Sequence, residues 1–372
     1  MEKIYKYPSI QCVKGYGRSI LQDLQKHSYC FVPNTLVEII KNIHGKTTNE
    51  YLKEHDISNH EIIKEYIDFL IDNKYVYLSE QTVSFDNDFH LFDYPAVISN
   101  TIVILSDTNI VNFQKIIFEI ENVGCENIQI YIENQIQLQD IVDILTVFDN
   151  TRILSIEILL PFVDFLLNVS IITDLFEKQA RLFKMQVYNA PDSNISYVDT
   201  LKCKNITYNK ENISYLDCGF VHPVAFRNNI SFFSEARNYN TCLNKKLCID
   251  SKGNIKNCPV MKSNFGNISQ VVVQEVVQKK EFQSFWHISK DKIDVCKDCE
   301  FRYMCMDCRC FLKYPNNIYS QPEKCTYNPY ICKWKGQEGY ISVEECGTYT
   351  TENGFVPDDE KIDKINNQIW GE

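Results

Sequence analysis

Between residues 95 and 190 two kinds of apolar pattern alternate along the chain. AVISNTIVIL, NIQIYIE, RILSIEILL and FKMQVYNA are short runs rich in Ile and Val, the pattern of strands buried on both faces. Between them, NFQKIIFEIENVG, IQLQDIVDILTVFDN and VDFLLNVSIITDLFEKQA place apolar residues at helical spacing, and the first of these stops at Gly124. Strand and helix in turn predict a parallel sheet with right-handed crossovers. Three or four such units are too few to close an eight-fold barrel, so a partial (β/α) barrel or an open parallel sheet is expected. No sequence repeat is visible, which excludes a solenoid.

A different pattern precedes this region. VPNTLVEIIKNIHG puts Leu36, Ile39, Ile40 and Ile43 on one helical face and ends at Gly45. TTNEYLKEHD reads as a short second helix. SNHEIIKEYIDFLIDN opens with Ser58 and Glu61 in capping-box spacing, and Ile62, Tyr66, Phe69 and Leu70 follow as its apolar stripe. KYVYLSE and TVSFD then read as a hairpin. Three helices and a hairpin form a winged-helix-like unit, a shape that can capture an extended peptide as an added strand. Downstream, NISYLDCGFVHP is expected to supply one more strand, with Cys218 and His222 near its end. An amphipathic helix is expected over 271–287, and the polar segment from 336 onward reads as a loosely held tail.

Ile153–Ile172, ILSIEILLPFVDFLLNVSII, is the one long apolar stretch. Glu157, Pro161 and Asp164 interrupt it, and a membrane span would carry both charges at a cost. A buried strand, a turn at the proline and a helix fit better, so no membrane partner is expected. The N-terminus, MEKIYKYPSI, has no apolar core of a signal peptide.

Composition narrows the function. The chain has 372 residues, a net charge of −11 and only 12 glycines. A nucleic-acid binder needs surplus Lys and Arg to displace counterions, so nucleic acid is not the expected partner. Neither a P-loop nor a dinucleotide fingerprint occurs, and GYGRS at Gly15–Ser19 lacks a third glycine. The sequence holds 16 cysteines, five before residue 242 and ten from Cys242 to Cys332. Without export the compartment is reducing and the expected location cytoplasmic, where clustered cysteines read as metal ligands before disulfides.

The spacings are specific. Cys242, Cys248 and Cys258 come first, with Gly253 in a C-x10-G-x4-C pattern. CKDCEFRYMCMDCRC supplies Cys296, Cys299, Cys305, Cys308 and Cys310, and Cys325 and Cys332 follow. An iron–sulfur cube needs four thiolates converging on it, and pairs two apart in a tight turn can aim both sulfurs inward. Eight thiolates would hold two closed clusters, suited to electron transfer or to structure. Zinc is the rival, but the two C-x2-C pairs stand too close together for the usual ribbon arms.

This pattern resembles the SPASM domain of radical-SAM peptide-maturing enzymes, whose motif runs C-x(9–15)-G-x4-C, then C-x2-C-x5-C-x3-C, then C. One departure is that the last cysteine of the second block falls on Arg309, between Cys308 and Cys310. We take Cys308, because CEFRYMCMDCR looks like the peptide-maturase variant. The resemblance implies two [4Fe–4S] clusters, one on Cys242, Cys248, Cys258 and Cys308, the other on Cys296, Cys299, Cys305 and Cys325. The C-x3-C-x2-C loop that chelates S-adenosylmethionine should follow TIVIL, where this chain has SDTNIVNF. Cleavage of S-adenosylmethionine at the usual site is therefore not expected. With GYGRSILQDLQ and FVPNTLVEII at its start, the chain looks like the SPASM-domain maturase of grasp-with-spasm systems. That implies a precursor peptide and an ATP-grasp ligase as partners, in the maturation of a ribosomally made peptide. The rival functions are a non-catalytic scaffold and a zinc-stabilised interaction module.

The reading divides the chain at 1–92 (winged-helix-like, peptide recognition), 93–235 (degenerate radical-SAM-like β/α), 236–335 (SPASM) and 336–372 (tail). No catalytic residue is legible. His60, His222 and His287 read as surface, loop and packing histidines. Cys12, Cys30, Cys125 and Cys203 read as small buried fillers, Cys218 as the same with more suspicion, and Cys332 and Cys346 as spare thiols or alternate ligands.

Overall fold

The computed structural model describes residues 2–82, 93–106, 112–199 and 204–371. The chain forms two compact units, each assembled from separated stretches. Met1–Asp93, Gly219–Thr241 and Ile288–Glu372 make the first, and Tyr94–Cys218 and Cys242–His287 the second.

The first unit begins with β1 (Lys3–Lys6) and an antiparallel meander of β2 (Ile10–Lys14), β3 (Ser19–Asp23) and β4 (Ser28–Val32). At four or five residues each, these strands are too short to show a period in the sequence. Helices α1 (Asn34–Asn42), α2 (Thr48–Leu52) and α3 (His60–Asp72) follow as expected, then β5 (Val76–Ser79). β5 pairs with β1, while the TVSFD strand of the expected hairpin lies, beyond Thr82, outside the described residues. The capping box sits one helix earlier than expected. A 3-10 turn over Ile57–Asn59 delays the start of α3, and the box forms at α2 between Thr47 and Glu50. Leu21, Leu36, Ile40, Ile67 and Leu70 close the core between sheet and helices. Each such side chain contributes about 1.5–3 kcal/mol on burial.

The second unit is α/β. β6 (Asn100–Leu105), α4 (Phe113–Asn122), β7 (Asn127–Ile132), α5 (Leu138–Thr146), β8 (Ser155–Pro161), α6 (Val169–Lys178) and β9 (Leu182–Tyr188) follow the predicted alternation closely. The apolar stretch at Ile153–Ile172 is indeed strand, proline-bounded turn and helix, and no described helix is long and apolar enough to cross a membrane. β10 (Asn194–Asp199), β11 (Lys204–Tyr208), β12 (Lys246–Ile249) and β13 (Ile255–Lys256) complete an eight-stranded sheet, ordered β10-β11-β9-β8-β7-β6-β12-β13. The strands from β11 to β12 are parallel, and β10 and β13 are antiparallel edges. The strand expected in NISYLDCGFVHP does not form. Tyr215–Asp217 is a 3-10 turn there, and the extra strands come from the stretch just before it. The helix expected over 271–287 is broken into Val273–Val277 and Lys280–Gln283.

The rest of the first unit holds α7 (Ile230–Asn238) and the cysteine-rich loops. Phe232, Phe233 and Ala236 of α7 pack with Val13, Ile20, Tyr303 and Met304. β14 (Tyr327–Asn328) pairs with β15 (Lys333–Trp334), and β16 (Gly347–Thr350) with β17 (Gly354–Pro357). A final helix, Asp359–Trp370, is capped by Asp358. The expectation of a loosely held tail is thus overturned. Val343, Cys346, Phe355 and Ile362 form one core with Val295, Tyr330 and Ile331, and that burial outweighs the polar composition of the segment. Gly354 lies at φ +66, and a Cβ there would strike the carboxylate of Asp294. Gly354→Ala is expected to lower the thermal midpoint, read by circular dichroism, with a cost larger than the ~1 kcal/mol that the exchange would gain at a strain-free glycine.

Candidate iron-sulfur centre

Four of the predicted ligands meet in the first unit. Cys296 opens a 3-10 turn that Cys299 closes, Cys305 follows in the next loop and Cys325 precedes β14. All four line one cavity with Lys290, Phe301, Tyr327 and Trp334. The turn is entered through Val295 at φ 66, a left-handed conformation that a β-branched residue adopts only under constraint.

Burial and mutual charge dominate the chemistry here. Desolvation pushes the thiols of Cys296 and Cys305 up to about 11, opposed by the ammonium of Lys290 and reinforced by neighbouring anions. Burial likewise raises Cys299 and Cys325, and each is pushed further by the charge of Cys296. Buried thiols that repel one another as thiolates need a cationic centre to ionise together. An iron–sulfur core fits that need and the all-sulfur donor set. Among the described residues no three His, Cys, Asp or Glu side chains are already disposed to hold a single metal ion. The four thiols share a cavity rather than a point.

Around the thiols lies a charged layer that the spacing argument passed over. The Lys290 ammonium donates toward Cys296 Sγ at 4.0 Å. Burial alone would lower its pKa, but Cys296, Cys305 and Asp307 outweigh that and hold it above its ordinary value. Asp307 accepts from Arg309 at 2.5 Å and from Asn240 Nδ2 at 2.6 Å. Glu300, also fully buried, accepts from Arg18 and from Tyr327. The only sequence signal for this layer was the charge interleaved in CKDCEFRYMCMDCRC.

In the second unit, the charges of Cys242, Cys248 and Cys258 act on Lys246, the first residue of β12. Burial would lower the Lys246 pKa, yet the charges of Cys242, Cys258, Cys248 and also Cys218 raise it. Burial and the nearby Cys258 push the Cys248 thiol up. Gly253, at φ +79, makes the tight turn between β12 and β13 that returns the chain toward Cys258. Cys308, the fourth ligand implied by resemblance, belongs to the first unit, where it is buried and its Sγ lies 3.2 Å from where a Cβ on Gly219 would be. Cys310 in the same loop is half-buried.

The remaining cysteines divide by environment. Cys346 packs in the core of the C-terminal segment and accepts from Asn328. Cys332, at φ 55, lies outside the cavity lining. Cys12 and Cys30 pack against the N-terminal core, and Cys203 lies outside the described residues. Burial pushes Cys125 up to about 11, while its bonds to Thr101 and Asn127 lower it less. At pH 8 its thiol therefore stays protonated. Cys125 is expected to resist iodoacetamide in the folded protein, as peptide mass mapping would show. His222 accepts from Val224 N as the cap of a 3-10 turn, and His60 bonds the His55 carbonyl. The stretch expected to carry a cysteine loop after TIVIL reads SDTNIVNF, of which 107–111 lie outside the described residues.

Each unit thus carries a cysteine group whose charges act on a lysine of the same unit. The model of SPASM, an iron–sulfur cluster-binding domain, matches residues 241–300, which include Cys242, Cys248, Cys258, Cys296 and Cys299. Among solved structures the chain is similar to SuiB of Streptococcus suis bound to S-adenosylmethionine, at 11% identity, covering 82% of this chain and 96% of that one, with a TM-score of 0.35. It is similar also to SuiB bound to its precursor peptide SuiA, at 11% identity over 83% and 96% with a TM-score of 0.35. SuiB alone gives 12%, 82%, 96% and 0.34. Scores of that size carry no inference about this chain. No curated protein matches it.

Proposed function

We propose that this protein matures a ribosomally made peptide, as an iron–sulfur SPASM protein that binds the precursor and works with an ATP-grasp ligase. The observation that carries the reading is the meeting of Cys296, Cys299, Cys305 and Cys325 on one cavity, the first two of them inside the stretch matched by the SPASM model. Cys296, Cys299, Cys305 and Cys325 would hold one [4Fe–4S] cluster. Cys242, Cys248, Cys258 and Cys308 would hold the other. Bound clusters of this closed kind supply electron transfer or structural support, since no iron is left open.

The chain's own residues supply the rest. The buried Lys290 and the half-buried Lys246 each place a cation within electrostatic reach of one thiol group and offset the charge of the thiolates. The N-terminal unit, winged-helix-like in this reading, receives the precursor. β4 is an edge of its sheet among the described strands, and Tyr29 and Phe31 on it are exposed, suited to an added strand with aromatic contacts. The ligase would activate a carboxylate as an acyl phosphate. The missing C-x3-C-x2-C motif favours a second reading, a scaffold that presents the precursor to the ligase without chemistry of its own.

Anaerobic purification is the test. Brown protein with broad absorbance and inorganic sulfide is expected, with retention of the precursor on the immobilised protein. Colourless protein with stoichiometric zinc refutes the cluster reading. The scaffold reading prevails if ligase and precursor alone give the complete mass change.

A further inference from the structure

The GYGRS turn, unexplained by the sequence reading, joins β2 to β3 and lies against the cysteine loop within the first unit. Tyr16 N donates to the Asp298 carbonyl at 2.8 Å, and Arg302 Nη1 donates to the Lys14 carbonyl at 2.7 Å. A Cβ on Gly15 would lie 2.9 Å from Glu300 N, so the close approach requires glycine. Asn34 Nδ2 clamps the turn from the other side through the carbonyls of Gly15 and Tyr16.

The turn delivers Arg18. Its Nε donates to Glu300 Oε1 at 2.8 Å and its Nη2 to Tyr327 Oη at 3.3 Å, and Tyr327 Oη donates to the same carboxylate oxygen at 2.5 Å. Glu300 is fully buried, follows Cys299 directly, and its Oε2 has no hydrogen-bond partner. Arg18 is its cationic partner. The other face of the guanidinium lies 3.5 Å from the ring centroid of Phe31, on the exposed β4.

We infer that Arg18 is a positioning residue for the cluster held by Cys296, Cys299, Cys305 and Cys325: it neutralises the buried Glu300 carboxylate beside Cys299 and so sets the cluster's reduction potential. The inference rests on the cluster reading above. A fixed anion close to a cluster opposes the arrival of an electron, and inside the protein it is weakly screened. Arg18 cancels that field from a strand hairpin 282 residues away in sequence.

Potentiometric titration followed by electron paramagnetic resonance tests this on the full chain. The wave missing from Cys296→Ala identifies the cluster. In Arg18→Met that wave is expected to shift to lower potential while the other stays, and Arg18→Lys is expected to recover part of the shift. Glu300→Gln should shift it the opposite way, and the double variant should return it near the wild-type value. If Arg18→Met loses the cluster, Glu300→Gln alone decides. An unmoved wave in a cluster-loaded Arg18→Met, or in Glu300→Gln, overturns the inference while leaving the cluster reading intact. Wild-type protein free of inorganic sulfide overturns both.

Discussion

Cys296→Ala is expected to cut the iron bound per chain from about eight atoms to about four, with inorganic sulfide falling in step. Its thiol is one of four lining a single cavity, so no neighbouring sulfur can replace it without abandoning its own iron. Cluster binding and folding of such loops are one equilibrium, because the ligands converge only in the folded chain. A drop in soluble yield should accompany the lost iron. Cys125→Ala is the control: its thiol bonds Thr101 and Asn127 in the core of the other unit, and its iron content should match the wild type. Equal iron in the two variants would refute the ligand assignment.

Asp307→Asn is expected to destabilise the protein by about 3–5 kcal/mol, the cost of stripping one partner from a buried ion pair. The Asp307 and Arg309 side chains are 1% and 0% exposed, and Lys290, at 5%, lies 3.9 Å from the same carboxylate. The amide keeps the shape and can still accept from Asn240. It removes the charge that offsets both cations. Urea unfolding of matched cluster-loaded samples measures the effect. A change below about 1 kcal/mol would mean the pair is solvated and worth no more than a surface bridge.

Arg309, between Cys308 and Cys310, has a structural role of its own. Its guanidinium is spent on Asp307 and on the carbonyls of Ile318 and Ser320, which ties the Cys308–Cys310 segment to the following loop. A residue buried in such a network is structural wherever the neighbouring thiols point.

The β/α alternation was legible because each element carries its own pattern. NIQIYI reads as a strand from six residues, and FQKIIFEIEN as a helix from ten. The cysteine spacing was legible for a similar reason, since pairs two apart must share a turn. The N-terminal strands were not. KIYK and IQCVK are too short to show a period, and what makes them strands is pairing with β5 and β3. The C-terminal segment looked loose because its apolar residues are sparse, yet a few of them complete one core with Tyr330 and Ile331.

The sequence by itself determined the parallel αβ core and the close grouping of cysteines from Cys242 to Cys332, because periodicity and close spacing are local properties. Only the tertiary structure decided which thiols share a cavity, that Lys290, Asp307 and Arg309 form the buried charge layer beside them, and that Arg18 faces Glu300. Contacts between residues hundreds of positions apart are chosen by packing and by the cost of leaving a buried charge unpaired, and neither leaves a pattern along the chain.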